Sequence, residues 1–337
     1  MVVIFLTDLE KTQHYSVEKL LLDGLFDYIP EKEKIIEPFY GNGDLVKNID
    51  CEYYDIDFPP DSPHHRDTLL NPPDYNGKYV ITNPPYLAKN KAKDKKYFEK
   101  YQYDDLYKIA IHTILAAEGG ILIVPINFIA DERSKNIRKE FFEKFSIERL
   151  NIYLDGCFEN TNYNVCSFAF RKQHNDGELV KTFIYKDKQI VNETVICLLQ
   201  QYDYRLGGEF FYRLKQVKTP FSRLTLEKPD NPTNINIVCI DKTNEPLHFY
   251  YSEEPYYGKQ SDRNLATLSF SGNLSKELQL KLIEDANYII NDFRKSTFNL
   301  CLTNYRDRSR KRIGFTEAYQ IMGLAYQRLM KGQGQKS

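Results

Sequence analysis

The stretch Tyr79-Val80-Ile81-Thr82-Asn83-Pro84-Pro85-Tyr86 decides how the fold is read. An aromatic and three β-branched residues favour an extended strand. Two prolines follow within three residues, and neither can donate to a sheet ladder, so the chain must leave the sheet after Thr82. The same prolines stiffen the turn and fix the Asn83 amide and the Pro84 carbonyl in space. Outward from this strand, residues 35–38, 52–55, 121–125, 150–154 and 165–171 read as further strands. Helical spacing is read between them at 45–49, 104–117 and 134–144. Strands alternating with helices predict an α/β fold with a doubly wound, mostly parallel sheet. The last two strands lie close together, so one is expected to run antiparallel.

Ahead of the first strand, Val17, Leu20, Leu21, Leu25 and Phe26 recur at helical spacing, with Ser16 as an N-cap. After Gln173 the polar, glycine-containing run His174-Asn175-Asp176-Gly177 reads as a linker. Beyond it periodicity weakens, although 275–293 and 316–330 read as helices. The expected division is therefore 1–175 and 176–337.

Lys plus Arg (46) and Asp plus Glu (47) nearly cancel, so a nucleic-acid site must come from local patches. The six cysteines are scattered without a CxxC pair, which argues against a zinc site or a disulfide scaffold, and no metal is expected. No signal peptide and no apolar run of about 18 residues is seen. A cytoplasmic chain free of the membrane is the expectation.

The chemistry gathers at predicted strand ends. Glu37-Pro38-Phe39-Tyr40-Gly41-Asn42-Gly43 follows the first strand, where glycines let backbone approach a nucleotide-like ligand. The single GxG is not a GxGxxG pyrophosphate cradle. Asp55, followed by Ile56, stands at the tip of the second strand, where a carboxylate can accept from a ribose diol. Asp67-Thr68-Leu69 offers an acceptor to the amino group of an adenine ring. The Asn83 turn suits a conjugated exocyclic amine, whose lone pair is delocalised. Two rigid acceptors (Asn83 side-chain oxygen and Pro84 carbonyl) favour tetrahedral nitrogen during attack on a methyl group. Tyr86 offers a face for the ring to stack on.

Taken in this order, the motifs resemble those of the amino-group DNA methyltransferases, in particular the gamma-ordered adenine-N6 enzymes of restriction–modification systems. The resemblance spans about residues 11–172. It implies a seven-stranded Rossmann-like sheet, S-adenosylmethionine as cofactor, and a C-terminal target-recognition domain, helical toward its end. Thr12, Gln13, Tyr15 and Ser16 then look like the segment lining the methionine end of the cofactor. Glu37, Pro38, Phe39, Gly41 and Gly43 look like the cofactor loop, which the Asn83 turn adjoins. Asp55 with Ile56 looks like the ribose site, and Asp67, Thr68 and Leu69 like the adenine site. Asn83, Pro84, Pro85 and Tyr86 look like the catalytic turn. Phe158 resembles the aromatic that sandwiches a flipped base against Tyr86, with Tyr163 as the second candidate.

The expected partner is duplex DNA, with a cognate restriction endonuclease acting on the same site and a monomeric enzyme. Two basic features suit it. Lys89 and Lys91 open a lysine run just after the turn, and 294–337 holds ten Lys or Arg against Asp307 and Glu317. Within the latter, Tyr305, Arg306, Arg308, Arg310, Lys311 and Arg312 interleave donors with an aromatic. The same turn occurs in glutamine methyltransferases of release factors and in RNA base methyltransferases, and cytosine-N4 enzymes are close relatives. About 34 residues ahead of the first strand and about 165 after the last favour a nucleic-acid reader.

Overall fold

The computed structural model describes residues 19–155, 164–173, 177–305 and 307–334; of these, 19, 177–178, 303–305, 307–309 and 332–334 are described by backbone alone. Two compact units meet in sequence between Leu206 and Gly207.

The first unit is built on one sheet. Its strands are β1 (Lys34–Glu37), β2 (Cys51–Tyr53), β3 (Lys78–Thr82), β4 (Gly119–Pro125), β5 (Phe145–Tyr153), β6 (Val165–Lys172), β7 (Gly177–Lys186) and β8 (Gln189–Leu199). They are ordered β2-β1-β3-β4-β6-β5-β7-β8. Pairs β1–β2, β1–β3, β3–β4 and β5–β7 are parallel, while β6 runs against β4 and β5, and β8 against β7. The mixed α/β class, the mostly parallel sheet and the antiparallel β6 agree with the sequence reading.

Both faces of the sheet are covered. Ile81, Ile121, Ile123 and Ala169 lie on one face, packed with Leu21, Leu25, Leu45 and Val46. On the other, Phe168 and Phe170 meet Phe128 and Phe141 at ring-centroid distances of 5.7 and 5.4 Å. Helices α1 (Lys96–Lys100), α2 (Leu106–Thr113), α3 (Asn127–Ala130) and α4 (Lys135–Phe142) belong to this unit. Val80, Ile81, Ile121 and Ile123 are fully buried, each worth roughly 1.5–3 kcal/mol of burial free energy.

Three expectations are corrected here. The sheet has eight strands rather than seven, because hairpin β7–β8 joins it through β5. Leu179 and Lys181 are exposed on either side of buried Val180, and 182–185 are buried throughout, as in a strand covered on both faces. The helix expected at 45–49 is a set of turns. Gly43 (φ +75°) and Asn48 (φ +69°) bracket only four residues, too few to nucleate a helix. Of the helix expected at 17–28, the described residues from 19 onward form two short 3-10 turns, Lys19–Leu22 and Phe26–Tyr28. Between them Gly24 takes φ +62°, with the Arg149 guanidinium where a side chain would stand.

The second unit pairs an antiparallel sheet with helices. Strands β9 (Phe221–Arg223), β10 (Pro232–Val238), β11 (His248–Tyr251) and β12 (Leu265–Phe270) are ordered β11-β10-β12-β9. This sheet is absent from the sequence reading. Helix α5 (Gly208–Lys215) opens the unit, and α6 (Lys276–Ser296), with Ser275 as N-cap, and α7 (Phe315–Gly334) fall where helices were expected. The ribbon β13 (Thr303–Tyr305) and β14 (Asp307–Arg312) precedes α7. Asp241 is a hub: its carboxylate takes both terminal Arg294 nitrogens at 2.8 and 2.9 Å and the backbone N–H of Leu247 and Lys311 at 2.8 Å.

Candidate active site

Strands β1, β2, β3 and β4 run parallel, so their carboxyl ends share one edge of the sheet. In open α/β sheets that edge is where ligands bind. Glu37 ends β1 and is 1% exposed. Its Oε1 accepts from the Thr82 hydroxyl at 2.5 Å and from the Phe39 N–H at 2.9 Å, whereas buried Oε2 has no partner. Burial pushes the Glu37 carboxyl up to about 8; the Thr82 and Phe39 bonds oppose the rise and Asp55 adds to it. A buried carboxyl with an orphan oxygen is ready to meet a cationic or donor group.

The glycine loop follows. Gly41 and Gly43 both take positive φ, +53° and +75°, and a Cβ on Gly43 would stand 2.4 Å from the Tyr40 hydroxyl. The Gly41 N–H donates to Asp55 Oδ2 at 2.7 Å, and Asp57 N–H to Asp55 Oδ1 at 2.9 Å. Asp55 is 4% exposed, so it ties loop and strand tip together and keeps lone pairs on both oxygens. Ile56 beside it is half-buried.

Thr68 is buried, and its hydroxyl donates to the Pro38 carbonyl at 2.9 Å, which joins the third predicted segment to the glycine loop. Leu69 is buried beneath, in a cluster with Tyr97, Phe98, Leu106 and Ile109 against which Phe39 packs. Asp67 accepts from the Leu70 N–H (3.2 Å) and the Tyr97 hydroxyl (3.0 Å). The structure thus brings Glu37, Pro38, Phe39, Gly41, Gly43, Asp55, Asp67, Thr68 and Leu69 to one edge.

The Asn83 turn leaves β3 directly after Thr82. Pro84 and Pro85 are buried, and Asn83 and Tyr86 are half-buried. The Tyr86 hydroxyl lies 2.5 Å from Asn83 Oδ1 and 2.8 Å from the Ile123 carbonyl. A hydroxyl has one hydrogen, so it can serve only one of them at a time. The Tyr86 ring meets buried Tyr107 edge-on, 6.3 Å between centroids and 89° between planes. Asp105 then holds the exit of the turn: its Oδ1 accepts from the Leu87 N–H at 3.2 Å. Burial pushes the Asp105 carboxyl up to about 6, against the pull of Lys108.

Four functional candidates escaped the sequence reading: Thr82, Tyr97, Asp105 and Tyr107. Thr82 adjoins the turn and could have been flagged as a buried hydroxyl. The others depend on contacts that the spacing does not reveal. Thr12, Gln13, Tyr15, Ser16, Phe158, Tyr163 and Arg306 lie outside the described residues, as do the side chains of Tyr305 and Arg308.

The basic features divide. Lys89 and Lys91 are exposed. Lys96 and Lys100 of the same run are exposed too, but their ammonium groups reach Asp67 and the Leu70 carbonyl. In the second unit Lys311 is 3% exposed, Arg310 Nε donates to the Asp241 carbonyl, Arg294 is spent on Asp241, and Arg312 is half-buried. Among the described residues, no group of three or more His, Cys, Asp or Glu could hold a metal ion. Among them, too, no helix is long and apolar enough to cross a membrane.

Residues 46–201 match the N-6 DNA Methylase family. The match takes in Asp55, Asp67, the Asn83 turn and hairpin β7–β8, and begins just after the glycine loop. No curated protein sequence matches the chain. Among solved structures, the type I restriction–modification methyltransferase subunit of Streptococcus thermophilus has 13% identity and a TM-score of 0.42, covering 58% of this chain and 59% of that one. The modification subunit assigned to a type I restriction enzyme of Vibrio vulnificus YJ016 has 12% identity and a TM-score of 0.41, covering 54% and 49%. The EcoKI M protein, a type I restriction enzyme subunit, has 13% identity and a TM-score of 0.37, covering 94% and 71%. The chain therefore spans about half the length of the Vibrio subunit and 59% of the Streptococcus one.

Proposed function

We propose, from the match of residues 46–201 to the N-6 DNA Methylase family, that the chain methylates N6 of an adenine in duplex DNA with S-adenosylmethionine as methyl donor. The adenine is swung out of the helix, because an amine inside a duplex is beyond reach. The observation that carries this reading is the Tyr86 hydroxyl shared between Asn83 Oδ1 and the Ile123 carbonyl. When the hydroxyl turns to Ile123, Asn83 Oδ1 is free to accept from an incoming amine. Tyr86 thus stores the acceptor in a satisfied state and releases it without moving its ring. The Pro84 carbonyl is the second acceptor, and together they favour the pyramidal nitrogen that can attack.

The cofactor supplies an electrophilic methyl group on a cationic sulfur. Glu37 with its orphan Oε2, the Gly41–Gly43 loop, Asp55 and Asp67 fit a cationic nucleoside of this kind. Asp55 would hold the ribose and Asp67 the adenine amino group. Phe158 or Tyr163 would complete the base sandwich. Lys89 and Lys91 would hold phosphates. The second unit would read the target site, with Tyr305, Arg306, Arg308, Arg310 and Arg312 as contacts. The setting is a cytoplasmic restriction–modification system with a partner endonuclease and a monomeric enzyme.

The test uses labelled S-adenosylmethionine with duplex DNA, single-stranded RNA and a release-factor peptide side by side. Label in N6-methyladenine of duplex DNA supports the proposal. Label in RNA, in glutamine or in N4-methylcytosine would replace it with the corresponding reading.

A further inference from the structure

Helix α1 arises from the lysine run that the sequence assigns to DNA, yet it faces the segment 67–70. The Tyr97 hydroxyl donates to Asp67 Oδ2 at 3.0 Å, and Lys96 Nζ stands 3.5 Å from the same oxygen. One turn on, Tyr101 donates to the Leu69 carbonyl at 2.9 Å and Lys100 to the Leu70 carbonyl at 2.5 Å. The two anchors differ in kind. Tyr97 is 7% exposed and packed with Leu69 and Phe98, so its hydroxyl has one place to be. Lys96 is 44% exposed on a flexible stem and can point its charge anywhere within reach. Asp67 Oδ1 is held from the other side by the Leu70 N–H. Oδ1 thus has one bond from the chain and capacity for another, while Oδ2 takes the Tyr97 bond with the Lys96 ammonium at ion-pair distance.

We propose that Tyr97 is a positioning residue for nucleobase recognition: its hydroxyl fixes the Asp67 carboxylate in the orientation that accepts from the exocyclic amine of the cofactor's adenine. This rests on the S-adenosylmethionine reading above. Burial and the adjoining Asp67 hold the Tyr97 phenol protonated far above its ordinary range, so the donor is present at every working pH. Without that hydroxyl the carboxylate is free to rotate toward Lys96. A carboxylate committed to an ammonium no longer distinguishes an amino purine from its 6-oxo counterpart.

The experiment is calorimetric titration of the full chain with S-adenosylhomocysteine and with its inosine analogue, in which a 6-oxo group replaces the amine. The wild type should prefer the amino ligand. Tyr97→Phe keeps the ring and its packing, and should weaken the amino ligand about tenfold while leaving the inosine analogue nearly unchanged. Lys96→Gln should keep the wild-type ratio. Because Tyr97 acts through Asp67, Tyr97→Phe should add no loss on top of Asp67→Asn. An unchanged ratio in Tyr97→Phe, an equal weakening of both ligands, or a further loss in the double variant would overturn the proposal. No binding of S-adenosylhomocysteine by the wild type would overturn the cofactor reading itself, which separates the two failures.

Discussion

Thr82→Val removes one hydroxyl and nothing else of volume, at a site where the consequence can be worked out. The Thr82 Oγ1–Glu37 Oε1 bond is 2.5 Å long, and both residues are 1% exposed. At pH 6 the Glu37 carboxyl is largely protonated, so the bond is a neutral one worth about 0.5–1.5 kcal/mol net, while a buried partner left unsatisfied costs about 1–3 kcal/mol. We expect a loss of about 2 kcal/mol in unfolding free energy, read by urea denaturation at pH 6. The pH dependence is a second readout. Glu37 titrates at about 8 in the folded chain against 4.5 ordinarily, so the folded state binds the extra proton between those values. The stability it contributes is fully present below pH 4.5 and is lost as pH rises toward 8, at up to about 1.4 kcal/mol per pH unit. The Thr82 bond favours the ionised form, so Thr82→Val should extend that decline to higher pH. Binding of a cationic cofactor to ionised Glu37 should strengthen over the same window and then level off, later in the variant. Equal stability and superimposable pH profiles for the two proteins would refute the role assigned to this pair.

Three further outcomes follow from the site and the second unit. Asp55→Ala should weaken S-adenosylhomocysteine by roughly 1–3 kcal/mol, the order of a charged hydrogen bond, and unchanged calorimetric affinity would remove the ribose role. Arg294→Met leaves the Asp241 carboxylate, 7% exposed, without its bidentate partner. About 3–5 kcal/mol of stability in the second unit should be lost, and a melting curve like that of the wild type would contradict the hub. Lys89→Gln with Lys91→Gln should lower the slope of log affinity for DNA against log salt by about one to two, and an unaltered slope would clear both of phosphate contact.

The exit of the chain from the sheet after Thr82 was legible because the two prolines of Asn83-Pro84-Pro85-Tyr86 stop a strand. Strands β1 to β6 followed from it through short apolar runs. Hairpin β7–β8 was missed because its turn, Asp187-Lys188, takes φ +50° and +62° without the Asn-Gly signal that usually marks it. The basic residues were the least legible. Charge is written in the sequence, but direction is not: Lys96, Lys100 and Arg294 are turned to partners on their own chain, and Lys311 is buried. The Tyr97–Asp67 bond joins residues 30 apart and has no local signature.

The central claim is tested most directly by expressing the chain and its Asn83→Ala variant in cells that lack adenine methylation, then sequencing the DNA at single-molecule level. The wild type should leave N6-methyladenine in one short motif and the variant none, while the purified variant still binds S-adenosylhomocysteine. Unmodified DNA from both, or equal modification by both, would contradict that claim.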